Sequence, residues 1–316
     1  MAQPANTFDT ADAIGIREDL VNNIYNVDAH EVPVLSAIPK VRAKSTLHEW
    51  QTDSLDTPSA TNAQIEGDDV VAAAITPTAR LSNQCQILSK SFNVTGTMEA
   101  VDKAGREKEH TYQAGMKAKA LKTDMEMSIF ANNAKVARGS STAGEMAGIP
   151  AWLTTNTSNG GGAAVEPTGD GTDARTDGTQ RAITAALLDA ELKSIWDNSG
   201  VMPDCVYMGS WVKQVASSLT GASTMNLDAS KKTLVATIDV YDYDFGTVRF
   251  EANRHVRSRD AIIMRNDMWA WAELRPMREE TLAKTGDAQK YHIIAEATLE
   301  CRNEKASGIV ADLSTS

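Results

Sequence analysis

The chain has 316 residues, 42% hydrophobic and only 5% aromatic, with a formal net charge of -11. That length can bury a real core and build more than one domain, and so lean an aromatic content fits a thin, spread-out architecture better than one compact enzyme. The acidity excludes the electrostatic footprint of a nucleic-acid binder, and no apolar run approaches the roughly 20 residues of a membrane span.

Residues 1–39 read as a polar N-terminal arm. Met1-Ala-Gln-Pro-Ala-Asn-Thr-Phe8 has no basic stretch leading into an apolar core, so no signal peptide is expected. Ile16, Leu20, Val21, Ile24 and Tyr25 recur at helical spacing, and Pro33 opens a second short turn carrying Val34, Leu35 and Ile38. Leu20, Ile24 and Tyr25 need cover that so short a segment cannot supply, which predicts contact with a neighbouring subunit. Strands are predicted at Leu47–Thr52 and Gln84–Val94, forming an extended hairpin. Between them Asp53 to Arg80 has no aromatic residue, two prolines (Pro58, Pro77) and an acidic group, Glu66, Asp68 and Asp69. Such an arm lacks a core of its own and needs an adjacent surface.

The longest helical pattern runs from about Asp102 to Asn132 and predicts a single continuous spine helix over at least Arg106 to Phe130. Leu121, Met125 and Ile129 mark its apolar stripe, Gly115 is tolerated, and Lys122 and Glu126 are expected to pair on its exposed face. A Gly/Ser/Thr-rich stretch follows to Thr179, anchored by the segment from Met146 to Leu153. A second amphipathic helix spans Arg181 to Trp196, closed by Gly200 and Pro203. Then come a strand at Cys205–Met208, a helix from Trp211 to Leu219, and a hairpin, Val235–Tyr243 with Thr247–Glu251, turning at Asp244-Phe245-Gly246. Strands dominate the remainder: Ala261–Met264, Trp269–Leu274, a run to Ala283, and Tyr291–Cys301. Helices and strands in mixed order make the fold α+β.

Catalytic motifs fail in turn. His30-Glu31 and His48-Glu49 start metalloprotease-like pairs, but Val34 and Thr52 stand where a second His belongs. There is no GxSxG elbow and no Walker lysine after the glycines at 160–162, and Asp170, Asp173 and Asp177 lack calcium-loop spacing. The three cysteines, Cys85, Cys205 and Cys301, are dispersed and odd in number, which suits a reducing cytoplasm. No catalytic, cofactor or metal site is therefore expected. Arg254, Arg257, Arg259 and Arg265 cluster; a nucleic-acid patch is one reading, and an acidic partner such as the 66–69 tip is the better match. Arg106 and Lys108, near the spine, are a second basic counter-surface.

The order of parts resembles the Hong Kong 97-type phage coat fold and, more narrowly, major head proteins of tailed phages and prophages. The resembling stretches are Asp12-Ala-Ile-Gly-Ile-Arg-Glu-Asp-Leu20, Thr46-Leu-His-Glu-Trp50-Gln-Thr-Asp-Ser-Leu55, Val101-Asp-Lys-Ala-Gly-Arg106, Asp170-Gly-Thr-Asp173, Lys232-Thr-Leu-Val-Ala-Thr-Ile-Asp-Val-Tyr241, Leu282-Ala-Lys-Thr-Gly-Asp287 and Thr298-Leu-Glu-Cys-Arg-Asn-Glu304. The resemblance implies a non-enzymatic subunit that self-assembles into hexamers and pentamers of a virion shell. That shell would enclose double-stranded DNA without specific binding, with decoration, scaffold and portal proteins as further partners, no membrane, and synthesis in the host bacterial cytoplasm. It divides the chain into an N-terminal arm (1–39), an extended loop (40–97), a peripheral domain with the spine (98–150), an axial domain (151–260), long peripheral strands (261–302) and a C-terminal segment (303–316). No lysine lies between Lys44 and Lys90, so the lysine-to-asparagine cross-link of the fold's founding example is not expected. An encapsulin-like compartment shell is the nearest alternative; a soluble hydrolase or cation-binding protein is the alternative from another class.

Overall fold

A computed structural model describes residues 30–69, 74–219, 240–284 and 286–315. Leu20, Ile24 and Tyr25, and the hairpin residues before Val240, lie outside the described residues. Three sheets organise the described residues: a four-stranded sheet in the order β1 (Lys40–Arg42), β10 (Trp269–Thr281), β11 (Ala288–Cys301), β4 (Gln86–Thr95); a six-stranded sheet in the order β5 (Thr157–Ser158), β12 (Gly308–Val310), β9 (Ala261–Met264), β6 (Cys205–Met208), β8 (Gly246–Ala252), β7 (Val240–Tyr243); and a two-stranded arm of β2 (Leu47–Thr52) and β3 (Ala79–Gln84).

The four-stranded sheet is built on β10 (Trp269–Thr281) and β11 (Ala288–Cys301), antiparallel strands of 13 and 14 residues. β1 (Lys40–Arg42) flanks β10 in parallel, and β4 (Gln86–Thr95) flanks β11 antiparallel. The spine, α3 (Glu109–Phe130), packs on this sheet through Leu121, Met125, Ile129 and Phe130. In the six-stranded sheet, β6 (Cys205–Met208), β9 (Ala261–Met264) and β12 (Gly308–Val310) are buried along their whole length. Side chains alternate between sheet faces, so Cys205, Tyr207, Ile262, Met264 and Ile309 join the core shared with the spine. Val206, Met208, Ala261, Ile263 and Val310 join a second core under α4 (Ala185–Ser199) and α5 (Ser210–Leu219). Covered faces on both sides explain why these strands read as continuous apolar runs. β7 (Val240–Tyr243) and β8 (Gly246–Ala252) form the edge hairpin.

Three expectations are corrected. The spine begins at Glu109, not Arg106, and its 22 residues span about 33 Å at 1.5 Å per residue. Gly105 has φ +77°, a left-handed conformation that breaks the helix, and Lys108 is extended. A separate short helix, α2 (Gly96–Ala100), precedes it and supplies Glu99, whose carboxylate accepts the Glu109 N–H at 3.1 Å. Second, Leu47–Thr52 (β2) pairs with Ala79–Gln84 (β3), while Gln86–Thr95 leaves the arm for the large sheet. The break is Cys85, buried against Ala43 and Ala272, whose N–H donates to the Thr46 carbonyl at 2.8 Å. Third, Glu126 does not pair with Lys122. It is wholly buried and accepts from the N–H groups of Val34 (3.0 Å) and Leu35 (2.8 Å) and from the Asn253 amide (2.8 Å). It thereby satisfies the first donors of α1 (Pro33–Ala37) and pins that turn to the spine.

Candidate assembly interface

The arm's base is fixed to the body by buried polar contacts. The Trp50 indole N–H donates to the Cys301 carbonyl at 2.7 Å, and its ring lies 5.5 Å from the fully buried Trp152. Asn83, also fully buried, donates to the carbonyls of Ala147 and Leu299 and accepts the Ala147 N–H. His48 Nε2 sits 2.8 Å from Glu300, which Arg302 also contacts at 2.9 Å; these partners hold the Glu300 carboxyl below its ordinary range. The arm therefore leaves the body at a determined position.

Beyond that base the arm has no cover. Residues 53–69 and 74–80 are exposed throughout, with Leu55 98%, Ile65 79% and Ile75 94% accessible. Its hydrogen bonds are local: Asp68 N–H to Ile65 O at 3.2 Å, Asp69 N–H to its neighbour's carboxylate at 2.9 Å, and Thr78 to Gln51 across the strand ends at 3.3 Å. Gly67, at φ +81°, makes the tip a tight turn. Ile65 is thus presented beside Glu66, Asp68 and Asp69, all of them exposed.

The arginine cluster is used largely within its own chain. Arg257 contacts Asp177 at 2.6 Å and Asp260 at 2.9 Å; Arg259 contacts Asp177 at 3.0 Å and Asp312 at 2.8 Å. Asp312 also accepts the N–H groups of Gly160 and Gly178, so the network ties the glycine-rich loop to the end of the chain's last strand. Burial pushes the Asp260 carboxyl up to about 6 against the pull of Arg257. Arg265 pairs with Asp267 at 2.9 Å. Arg254 is exposed and has no ion pair among the described residues.

Among the described residues, no three His, Cys, Asp or Glu side chains are placed to hold a metal ion, and no helix is long and apolar enough to cross a membrane. What the geometry offers is a rigidly launched, uncovered acidic arm on a two-core body.

Residues 3–314 match the family model described as SU10 major capsid protein. The chain belongs to that family. It is a structural subunit of a phage capsid, located in the virion shell, and not an enzyme. The chain is 22% identical to the major capsid protein of Escherichia phage Phieco32 over 344 residues, covering 98% of this chain and 97% of that protein. By structure it is similar to a chain of the cyanophage A-1(L) capsid asymmetric unit, with TM-score 0.65 at 11% identity over 98% of this chain and 99% of that one. It is also similar to a chain in a structure of phage G gp27 major capsid proteins and gp26 decoration proteins, with TM-score 0.54 at 13% identity over 99% and 100%. The coat-type α+β fold expected from the resemblance is the one found, and the encapsulin and hydrolase alternatives fall to the family match.

Of the interface residues expected from sequence, the capsid protein presents Glu66, Asp68, Asp69 and Arg254 to solvent and keeps Arg257 and Arg259 in internal ion pairs that leave each side chain 21% accessible. Sequence reasoning missed Glu126 as the clamp between α1 and the spine. The available signal was its place between Met125 and the pair Ile129 and Phe130, inside the helix's buried sector.

Proposed function

We propose that this capsid protein builds hexamers and pentamers of the head shell by laying its arm across an adjacent subunit. The observation that carries the reading is the contrast between a base held by buried hydrogen bonds and residues 53–69 and 74–80, which bury nothing. Ordering a backbone costs about 1–2 kcal/mol per residue, and this arm has no core of its own to offset that cost. A second copy supplies the missing surface, repeated around the shell.

In this reading the parts take the coat-fold division: arm 1–39, loop 40–97, spine-bearing peripheral domain 98–150, axial domain 151–260, long strands 261–302 and C-terminal segment 303–316. Leu20, Ile24 and Tyr25 of the N-terminal arm contact a neighbour, and Glu66, Asp68 and Asp69 meet a basic surface. Because Arg257 and Arg259 are already bonded to Asp177, Asp260 and Asp312, Arg254 is the member of that cluster with donors to spare. Decoration, scaffold and portal proteins are further partners, supported for decoration by the pairing in phage G. The protein is made in the host bacterial cytoplasm and surrounds duplex DNA without binding it specifically, a reading its net charge of -11 supports.

Converting Glu66, Asp68 and Asp69 together to lysine tests the role of the arm. Loss of particles with an unchanged far-UV spectrum and melting temperature of the free subunit is expected. Normal yield and thermal stability of the particles would reject it.

A further inference from the structure

The arm is fastened at its root by side chains rather than by a backbone ladder. β2 and β3 pair with each other, and among the described residues no strand of either larger sheet extends into the arm. Two single crossings of the chain join it to the body, residues 43–46 ahead of β2 and Cys85 after β3. Three side chains hold it to consecutive residues at the end of β11: Asn83 to Leu299, His48 to Glu300 and Trp50 to Cys301. Asn83 and Trp50 donate to main-chain carbonyls, and neither contact changes with pH. The His48 contact differs, because both of its partners titrate.

His48 Nε2 lies 2.8 Å from Glu300 Oε2, and Arg302 Nε donates to the other oxygen, Oε1, at 2.9 Å. The His48 and Glu300 side chains are 14% and 11% accessible, so salt screens their charges only weakly. The imidazole lies 5.7 Å from the Trp50 ring, and Lys135 Nζ lies 5.9 Å from the Trp152 ring on which Trp50 rests. Side chains alternate across β2, so Glu49 and its partner Arg80 occupy the arm's other face. Opposite His48 in the ladder stands the uncharged Asn83, and Glu300 faces Ala270 across β10. The buried Cys301 thiol follows Glu300, and Asp53, Glu304 and Lys305 line the groove between arm and body. Among these groups Glu300 is the one bonded to His48. A protonated imidazole gains an ion pair there, whereas a neutral one keeps a hydrogen bond through one tautomer only.

We propose that His48 and Glu300 form a proton-operated latch that sets the angle at which the arm leaves the body. With the imidazole charged, the latch fastens β2 to the end of β11. With it neutral, the two main-chain contacts remain and the arm turns more freely about residues 43–46 and Cys85. The bond from His48, with Arg302 beside it, holds the Glu300 carboxyl below its ordinary 4.5. The carboxylate half of the latch is therefore present above that value and is lost only in stronger acid. Imidazoles change charge between about pH 5 and 8, so the latch is closed on the acid side of that range and slackens as pH rises through it. Assembly through the arm inherits this dependence. That last step rests on the reading that the arm crosses to a neighbour; the latch itself belongs to the single subunit.

Double electron–electron resonance on the unassembled full-length subunit is the test. Nitroxide labels are placed on Gln51→Cys, on the arm's outer face, and on Ala190→Cys, exposed on α4; the native cysteines, Cys85, Cys205 and Cys301, are buried. One narrow distance is expected at pH 5.5, and a broader, shifted distribution at pH 8.5. His48→Arg keeps the charge and is expected to stay narrow at both. His48→Gln and Glu300→Gln are expected to give the broad distribution at both, with unchanged far-UV spectra. Identical parent distributions at the two pH values would overturn the latch, and so would a pH response that survives in His48→Gln. Should the glutamine variants fail to fold, His48→Arg decides: a pH response that it retains rejects the latch. None of these results bears on whether the arm crosses to a neighbour, which the three-lysine tip tests in particles.

Discussion

Glu191 is a buried carboxyl on α4, one oxygen of which has no hydrogen-bond partner among the described residues. Burial, helped by Glu166 and opposed by Arg175 and Arg181, pushes it from its ordinary value near 4.5 up to about 7. The folded state therefore favours the protonated form. Its contribution to stability is fully present below about pH 4.5 and is lost as pH rises through about 7. Replacing it with glutamine keeps the site neutral, so Glu191→Gln is expected to match the parent at pH 4 and to be more stable at pH 8. The expected gain is about 1–3 kcal/mol. Thermal unfolding of the unassembled subunit across that range measures it, and equal curves at pH 8 would contradict the assignment. Glu126 behaves differently although burial raises it too, because three donors converge on it. Glu126→Ala strands the Val34 and Leu35 N–H groups and the Asn253 amide, and a loss of about 3–5 kcal/mol is expected in denaturant unfolding.

At the scale of elements, the spine carries one replaceable weakness. Gly115 lies mid-helix and exposed, and among the described residues nothing beyond its own helical turn comes within 4 Å of the point a Cβ would occupy. Gly115→Ala is expected to stabilise the free subunit by about 0.5–1 kcal/mol, read as a higher melting temperature; no change would mean the unfolded chain already restricts this position. The elements that sequence reveals best are those whose pattern is enforced locally. Leu47–Thr52, Cys205–Met208 and Ala261–Met264 are found where their residue patterns place them. The division at Cys85 is invisible locally because Gln84-Cys85-Gln86 carries no turn residue, and its cause is a distant contact with Thr46. The spine starts only at Glu109 because Lys108 is extended, which the helical spacing of the sequence masks. The acidic tip is legible from its charges and its want of aromatic anchors.

For the whole molecule, charge and architecture point the same way. A net charge of -11 per subunit, multiplied over a shell, is expected to leave a wall that repels duplex DNA weakly. Purified shells are expected to show little affinity for duplex DNA at physiological salt in a filter-retention assay, and tight binding would contradict that. Whether the arm finds its cover only on a second subunit can be seen in an electron cryomicroscopy reconstruction of assembled particles. Density for residues 53–69 and 74–78 is expected to run across an adjacent subunit. An arm folded back onto its own subunit would contradict this.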